Sequence, residues 1–155
     1  MNQQVSIVLM ADDDVDDCML AKDAFGEVTS NGKLHCVEDG VKLMDHLLNA
    51  SHLPSLILLD LNMPRKDGRQ ALREIKSIRS LQQIPIVIFT TSEAEKDIAF
   101  SREMGADSFI TKPTRFHEWV DIMKMLIQSY FQRDGGAGIR PDPQLILFYW
   151  GGTGI

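Results

Sequence analysis

Apolar and polar residues follow two rhythms along this chain. Three short runs, Val5 to Ala11, Ser55 to Leu61 and Ile84 to Phe89, are almost wholly branched or aliphatic and do not alternate. Strands covered by helices on both faces have this pattern, so the three are expected to be central parallel strands. Two weaker strands are expected at Lys33 to Val37 and Asp107 to Thr111, where apolar and polar residues partly alternate as they do nearer a sheet edge. Between the runs the period becomes helical. Cys18, Ala21, Phe25 and Val28 fall on one face, as do Val41, Met44 and Leu48, then Ala71, Ile75 and Ile78. A fourth helix is expected from Glu93 to Met104, stopped by Gly105, and a fifth is marked by Phe116, Trp119, Val120, Met123, Ile127 and Tyr130. Strict alternation of strand and helix predicts an α/β fold. The expected form is a doubly wound, five-stranded parallel sheet of order 2-1-3-4-5, with its site outside the carboxyl ends of the strands.

This periodic region, residues 5–132, suits one domain in a chain of 155 residues. Beyond it the pattern breaks. Asp134 to Pro143 is rich in Gly and Pro, and Leu145 to Trp150 reads LILFYW, apolar and β-prone. Residues 133–155 are therefore expected to be a linker and tail, open to two readings: a docked strand or homodimer arm that buries an aggregation-prone segment, or a disordered extension. With 44% apolar and 25% charged residues the composition is that of a globular protein. No apolar run approaches the ~20 residues of a membrane helix, and no signal peptide opens the chain, so a cytoplasmic location is expected. The net charge of −6 without a Lys/Arg cluster argues against nucleic-acid binding.

On this scheme Asp12, Asp13 and Asp14 end the first strand and Asp60 ends the third, and those two ends are neighbours in the sheet. Converging carboxylates repel, and a hard cation with oxygen ligands resolves the repulsion; Mg2+ is the natural candidate because it accepts few protein ligands and leaves positions for phosphate oxygens. The third strand runs into LLDLNMPRKDG, with turn chemistry at Pro64 and Gly68. The fourth strand ends at Thr90, which offers a hydroxyl. The fifth ends in Thr111-Lys112-Pro113, an ammonium followed by an X-Pro bond for which a cis form is an option.

Asp12-Asp13 after the first strand, Asp60 with LNMPRKDG after the third, Thr90 after the fourth and Lys112-Pro113 after the fifth together resemble the response regulator receiver domain, which has a flavodoxin-like fold. The LNMPRKDGRQALREIK and ADDDVDD stretches are similar to single-domain regulators related to those paired with bacterial phytochromes. The resemblance implies that Asp60 is the phosphoacceptor and that Asp13, Asp60 and the backbone carbonyl of Asn62 bind Mg2+, with Asp12 contributing through a water. It implies that Lys112 and Thr90 contact the phosphoryl oxygens and that Phe109, three residues before Lys112, rotates inward as Thr90 shifts. The implied partners are a histidine kinase, phytochrome-like in this subfamily, and a downstream protein or phosphotransfer protein. Phosphoryl transfer to a carboxylate asks mainly for charge compensation, because a carboxylate is already ionised at neutral pH. Such a protein would be no turnover enzyme and would catalyse only its own phosphorylation and dephosphorylation.

Simpler roles are expected elsewhere. Asp14 suits a helix cap, and Asp16 and Asp17 suit a solvated first turn in the favourable field of the helix dipole. Cys18 and Cys36 read as small buried hydrophobes, and His35, His46, His52 and His117 show no metal or nucleophile spacing. Two rival functions are weaker. An aspartyl-phosphate hydrolase usually carries its nucleophile after the first strand in a DxD arrangement, and a flavin-binding protein would cradle phosphate in a neutral, N–H-rich loop rather than ADDDVDD.

Overall fold

The computed structural model describes residues 6–131. The chain alternates β1 (Ser6–Ala11), α1 (Val15–Val28), β2 (Gly32–Val37), α2 (Gly40–Asn49), β3 (Leu56–Leu59), α3 (Gly68–Ser77), β4 (Ile86–Thr90), α4 (Glu95–Glu103), β5 (Ser108–Thr111) and α5 (Phe116–Tyr130). All strand pairs are parallel and the order is β2-β1-β3-β4-β5. The expected elements and order are therefore found, with boundaries moved by a residue or two. The tail, including Leu145 to Trp150, lies outside the described residues.

Because strand residues alternate between faces, the sheet carries two cores. Leu9, Ala11, Ile57, Leu59, Ile88 and Phe109 pack with residues of α2 and α3 on one face. Val8, Met10, Leu58, Val87, Phe89 and Ile110 pack with α1 and α5 on the other. Leu56 to Leu59 are all 0% exposed, which explains their unbroken apolar run: no position on β3 faces water.

Helix caps set the phase of each buried stripe. Asp14, Asp39 and Asp67 cap α1, α2 and α3, each accepting from the backbone N–H three residues on. In α2 this buries Gly40, Leu43, Met44 and Leu47, while Val41 and Leu48, expected inside, are 41% and 57% exposed. The error is one position along an equally regular helical stripe. In α5, Ile122 and Leu126 join Trp119 and Met123 in the core, whereas Phe116 lies at the surface. Trp119 meets Phe89 edge-on at 5.1 Å and donates from Nε1 to Pro113 O at 3.0 Å, fixing α5 against the end of β5.

Candidate functional site

The site begins where the ladder of the sheet runs one residue past its strands. Asp12 follows β1 and its N–H donates to Val37 O at 2.9 Å; Asp60 follows β3 and its N–H donates to Ala11 O at 3.0 Å. Backbone hydrogen bonds thus hold both carboxylates at the sheet's carboxyl edge. Asp12 is 2% exposed and Asp60 7%, while Asp13 is open to solvent. One carboxylate oxygen from each of Asp12, Asp13 and Asp60 lies within 4.8 Å of the other two.

Lys112 closes the group from β5, its N–H donating to Thr90 O at 2.8 Å. Its Nζ lies 2.5 Å from Asp12 Oδ2, 2.7 Å from Asp17 Oδ2 and 3.6 Å from Asp60 Oδ2. The approach to Asp12 is an ion pair without hydrogen-bond alignment, so Asp12 Oδ2 is buried and accepts no hydrogen bond. Burial pushes the Asp12 pKa up to about 6, against the pull of Lys112 and the Asp14 N–H and with added repulsion from Asp60. Burial alone would lower the Lys112 pKa; Asp12, Asp17 and Asp60 outweigh it and raise the value above the ordinary lysine range. A buried acceptor without a hydrogen bond, flanked by two more carboxylates, suits a divalent cation with oxygen ligands.

Asn62 joins the cluster through its backbone N–H, which donates to Asp60 Oδ1 at 3.2 Å. Thr90 ends β4 and is 0% exposed. Its Oγ1 accepts from Ser92 N–H at 3.4 Å, Ser92 Oγ bonds Asp97 Oδ2 at 2.7 Å, and Arg69 grips Asp97 Oδ1 from Nε and Nη2 at 3.1 and 2.8 Å. Arg69 Nη1 also donates to Leu61 O at 3.4 Å, so this line of contacts leads from Thr90 back to the residue after Asp60. Burial would raise the Asp97 pKa, but the hydrogen bonds of Ser92 and Arg69 hold it below the usual carboxylate range. Phe109 pairs in register with Ile88, is 0% exposed and packs in the core on the α2 and α3 face of the sheet.

Three features correct the sequence reading. Asp17 is not a solvated first-turn charge: α1 carries it over the sheet edge onto Lys112, 95 residues away, a contact no local spacing reveals. The Lys112–Pro113 bond is trans, the ordinary form for X-Pro, and no cis bond occurs among the described residues. The 62–67 loop turns at Arg65, with φ of 65°, rather than at Gly68. Gly68 is needed for closeness: a Cβ there would lie 2.1 Å from Asp60 O. Gly40 is equally close to Lys66 O, to which its N–H donates at 3.0 Å, and Arg65 reaches Asp39 at 3.0 Å. The loop after Asp60 is thereby fastened to the start of α2. Away from the site, His35 and His46 lie ring to ring at 5.2 Å; Cys18 and Cys36 are free thiols, and Cys18 Sγ donates to Asp12 O at 3.8 Å.

A doubly wound sheet with acidic residues after β1 and β3 and a lysine after β5 defines a class, and comparison with known proteins agrees. Residues 8–124 match the response regulator receiver domain family, and the chain belongs to it. It is 35% identical over 132 residues to the response regulator Rcp1 of Synechocystis sp. (strain ATCC 27184 / PCC 6803 / Kazusa), covering 81% of this chain and 88% of Rcp1. Among solved structures it resembles the phosphorylated cyanobacterial phytochrome response regulator RcpA, with TM-score 0.78 and 32% identity over 83% of this chain and 96% of that one. It also resembles the Mn(2+)-bound form of Rcp1, with TM-score 0.74 and 30% identity over the same shares. Among the described residues no helix is long and apolar enough to cross a membrane.

Proposed function

We propose that this protein is a single-domain response regulator whose Asp60 takes a phosphoryl group from a phosphohistidine of a sensor kinase. The observation that carries this reading is the convergence of Asp12, Asp13, Asp60 and Lys112 at one rim, with Asp60 itself nearly buried. An Asp60 oxygen forms the new P–O bond as the P–N bond to histidine breaks, and the departing imidazole keeps the electron pair. Asp60 needs no general base for this step; it needs positive charge near the phosphoryl oxygens. Lys112 Nζ, 3.6 Å from Asp60 Oδ2, would supply part of it, and the Thr90 hydroxyl at the end of the neighbouring strand β4 would bond a phosphoryl oxygen. Mg2+ is the expected metal: Asp13, Asp60 and the Asn62 carbonyl would hold it, with Asp12 acting through a water, and when bound it would neutralise the phosphoryl oxygens. The Mn(2+)-bound relative supports a divalent site of this kind.

The chain works as a switch without multiple turnover, catalysing only its own phosphorylation and dephosphorylation, in the cytoplasm. A phytochrome-like histidine kinase is the expected donor, on the likeness to a cyanobacterial phytochrome response regulator. The output surface runs along α4, β5 and α5, with Thr90 and Phe109 as its internal levers, and it would address a downstream protein, a phosphotransfer protein or a second copy of the chain. The test is intact mass after incubation with acetyl phosphate and Mg2+. Addition of one phosphoryl group by the wild type, and none by Asp60→Asn, is expected; no addition, or addition that survives Asp60→Asn, overturns the reading.

A further inference from the structure

Lys112 has three N–H donors and three carboxylates around it, but the three are not equivalent. Asp12 and Asp60 belong to the acidic cluster at the strand ends. Asp17 does not: it comes from the first turn of α1, its side chain is 20% exposed, and its Oδ2 accepts from Lys112 Nζ at 2.7 Å in the aligned hydrogen bond that the closer Asp12 contact lacks. From this geometry we infer that Asp17 is a positioning residue of the phosphoryl-transfer site, holding the Lys112 ammonium over Asp60 by a contact independent of the metal-binding carboxylates. The inference rests on the receiver function proposed above and deepens it.

The physical case is one of order. A lysine has a flexible four-carbon stem and a point charge with rotatable donors, so a lone lysine beside Asp60 would sample several rotamers. Its side chain is only 5% exposed, so water does little to hold it in place. A second anion, carried by α1, removes rotational freedom before the phosphoryl group arrives. The ammonium nitrogen lies 2.5 Å from Asp12, 2.7 Å from Asp17 and 3.6 Å from Asp60. A cation bound by Asp12, Asp13 and Asp60 draws on the charge of two of the lysine's three partners. Asp17 is the one it leaves alone. Asp16, next along the chain, carries the same charge in the same helical turn and is exposed to solvent, so it shares the helix-dipole role without the contact.

The experiment is a double-mutant cycle on the full chain with acetyl phosphate and saturating Mg2+. The rate of phosphorylation is measured for wild type, Asp17→Asn, Lys112→Gln and the pair, with Mg2+ affinity of each measured by calorimetry. Asp17→Asn is expected to slow phosphorylation about tenfold, to leave Mg2+ affinity within about twofold, and to have no further effect once Lys112 is glutamine. Asp16→Asn is expected to match wild type. Equal slowing by Asp17→Asn in both lysine backgrounds, equal slowing by Asp16→Asn, or a wild-type rate for Asp17→Asn would each overturn the inference. A wild type that takes up no phosphoryl group would instead overturn the proposed function, so the two failures are distinct.

Discussion

Replacing Gly68 by alanine places one methyl group against the backbone that carries the acceptor. The new Cβ would lie 2.1 Å from Asp60 O, 2.7 Å from Leu61 Cα and 2.9 Å from the Asp60 carbonyl carbon. Ordinary contact begins at 3.4 Å, so the β3 end and the start of α3 must separate by about 1.3 Å. All three neighbours are backbone, and no rotamer change relieves them. The separation also pulls on the Gly68 N–H bond to Leu61 O, 3.0 Å long. Overpacking of this kind costs about 1–3 kcal/mol, offset by up to about 1 kcal/mol of helix propensity gained over glycine. A net loss of about 1 kcal/mol by urea denaturation is expected. Phosphorylation should suffer more, because a displacement near 1 Å in a positioned site costs about a hundredfold in rate. The assay is the acetyl phosphate rate at a temperature where the variant is fully folded. A variant as stable as wild type that is phosphorylated at the normal rate would show that the close approach of Gly68 to Asp60 does not shape the site.

Asp97→Asn removes a carboxylate that Arg69 and Ser92 hold ionised, and should cost about 2 kcal/mol at neutral pH. Because the folded-state pKa of Asp97 is depressed, its contribution is complete above the unfolded carboxylate pKa and disappears as pH falls through the folded value. Urea titrations should therefore show the gap between wild type and variant closing in acid, and a gap that widens there would contradict the assignment. Asp13→Asn removes one arm of the acidic cluster and should weaken Mg2+ binding about tenfold or more by calorimetry, with little change in stability because Asp13 is exposed; an unchanged titration would count against its role.

The sheet order and the five helices were legible because buried parallel strands and amphipathic helices leave different periods in the sequence. Asp12, Asp13, Asp60, Thr90 and Lys112 were legible for a related reason: each stands at or just past the end of a strand, and the topology brings those ends together. What escaped were relations that no local period encodes. Asp17 looked like a dipole-facing surface charge, and its contact with Lys112 spans 95 residues. Asp97 lay hidden in a polar helix start, and only the fold brings Arg69 of α3 to it. Gly68 was read as a turn residue because DG sequences commonly turn, whereas its role is the absence of a side chain beside Asp60. Val41 and Leu48 were placed inside since a helical stripe shifted by one residue is equally regular; the Asp39 cap and the contact of Gly40 with Lys66 settle the phase.

In the proposed reaction the phosphoryl group comes to rest on Asp60. Borohydride reduces an acyl phosphate to the alcohol, so treatment of the acetyl phosphate-modified protein followed by peptide mass mapping reads the modified position directly. Conversion of residue 60 to homoserine, dependent on Mg2+ and absent without the phosphodonor, is the predicted result. Homoserine at position 12, 13 or 17 in place of 60, or no conversion in a sample whose intact mass shows a phosphoryl group, would contradict it.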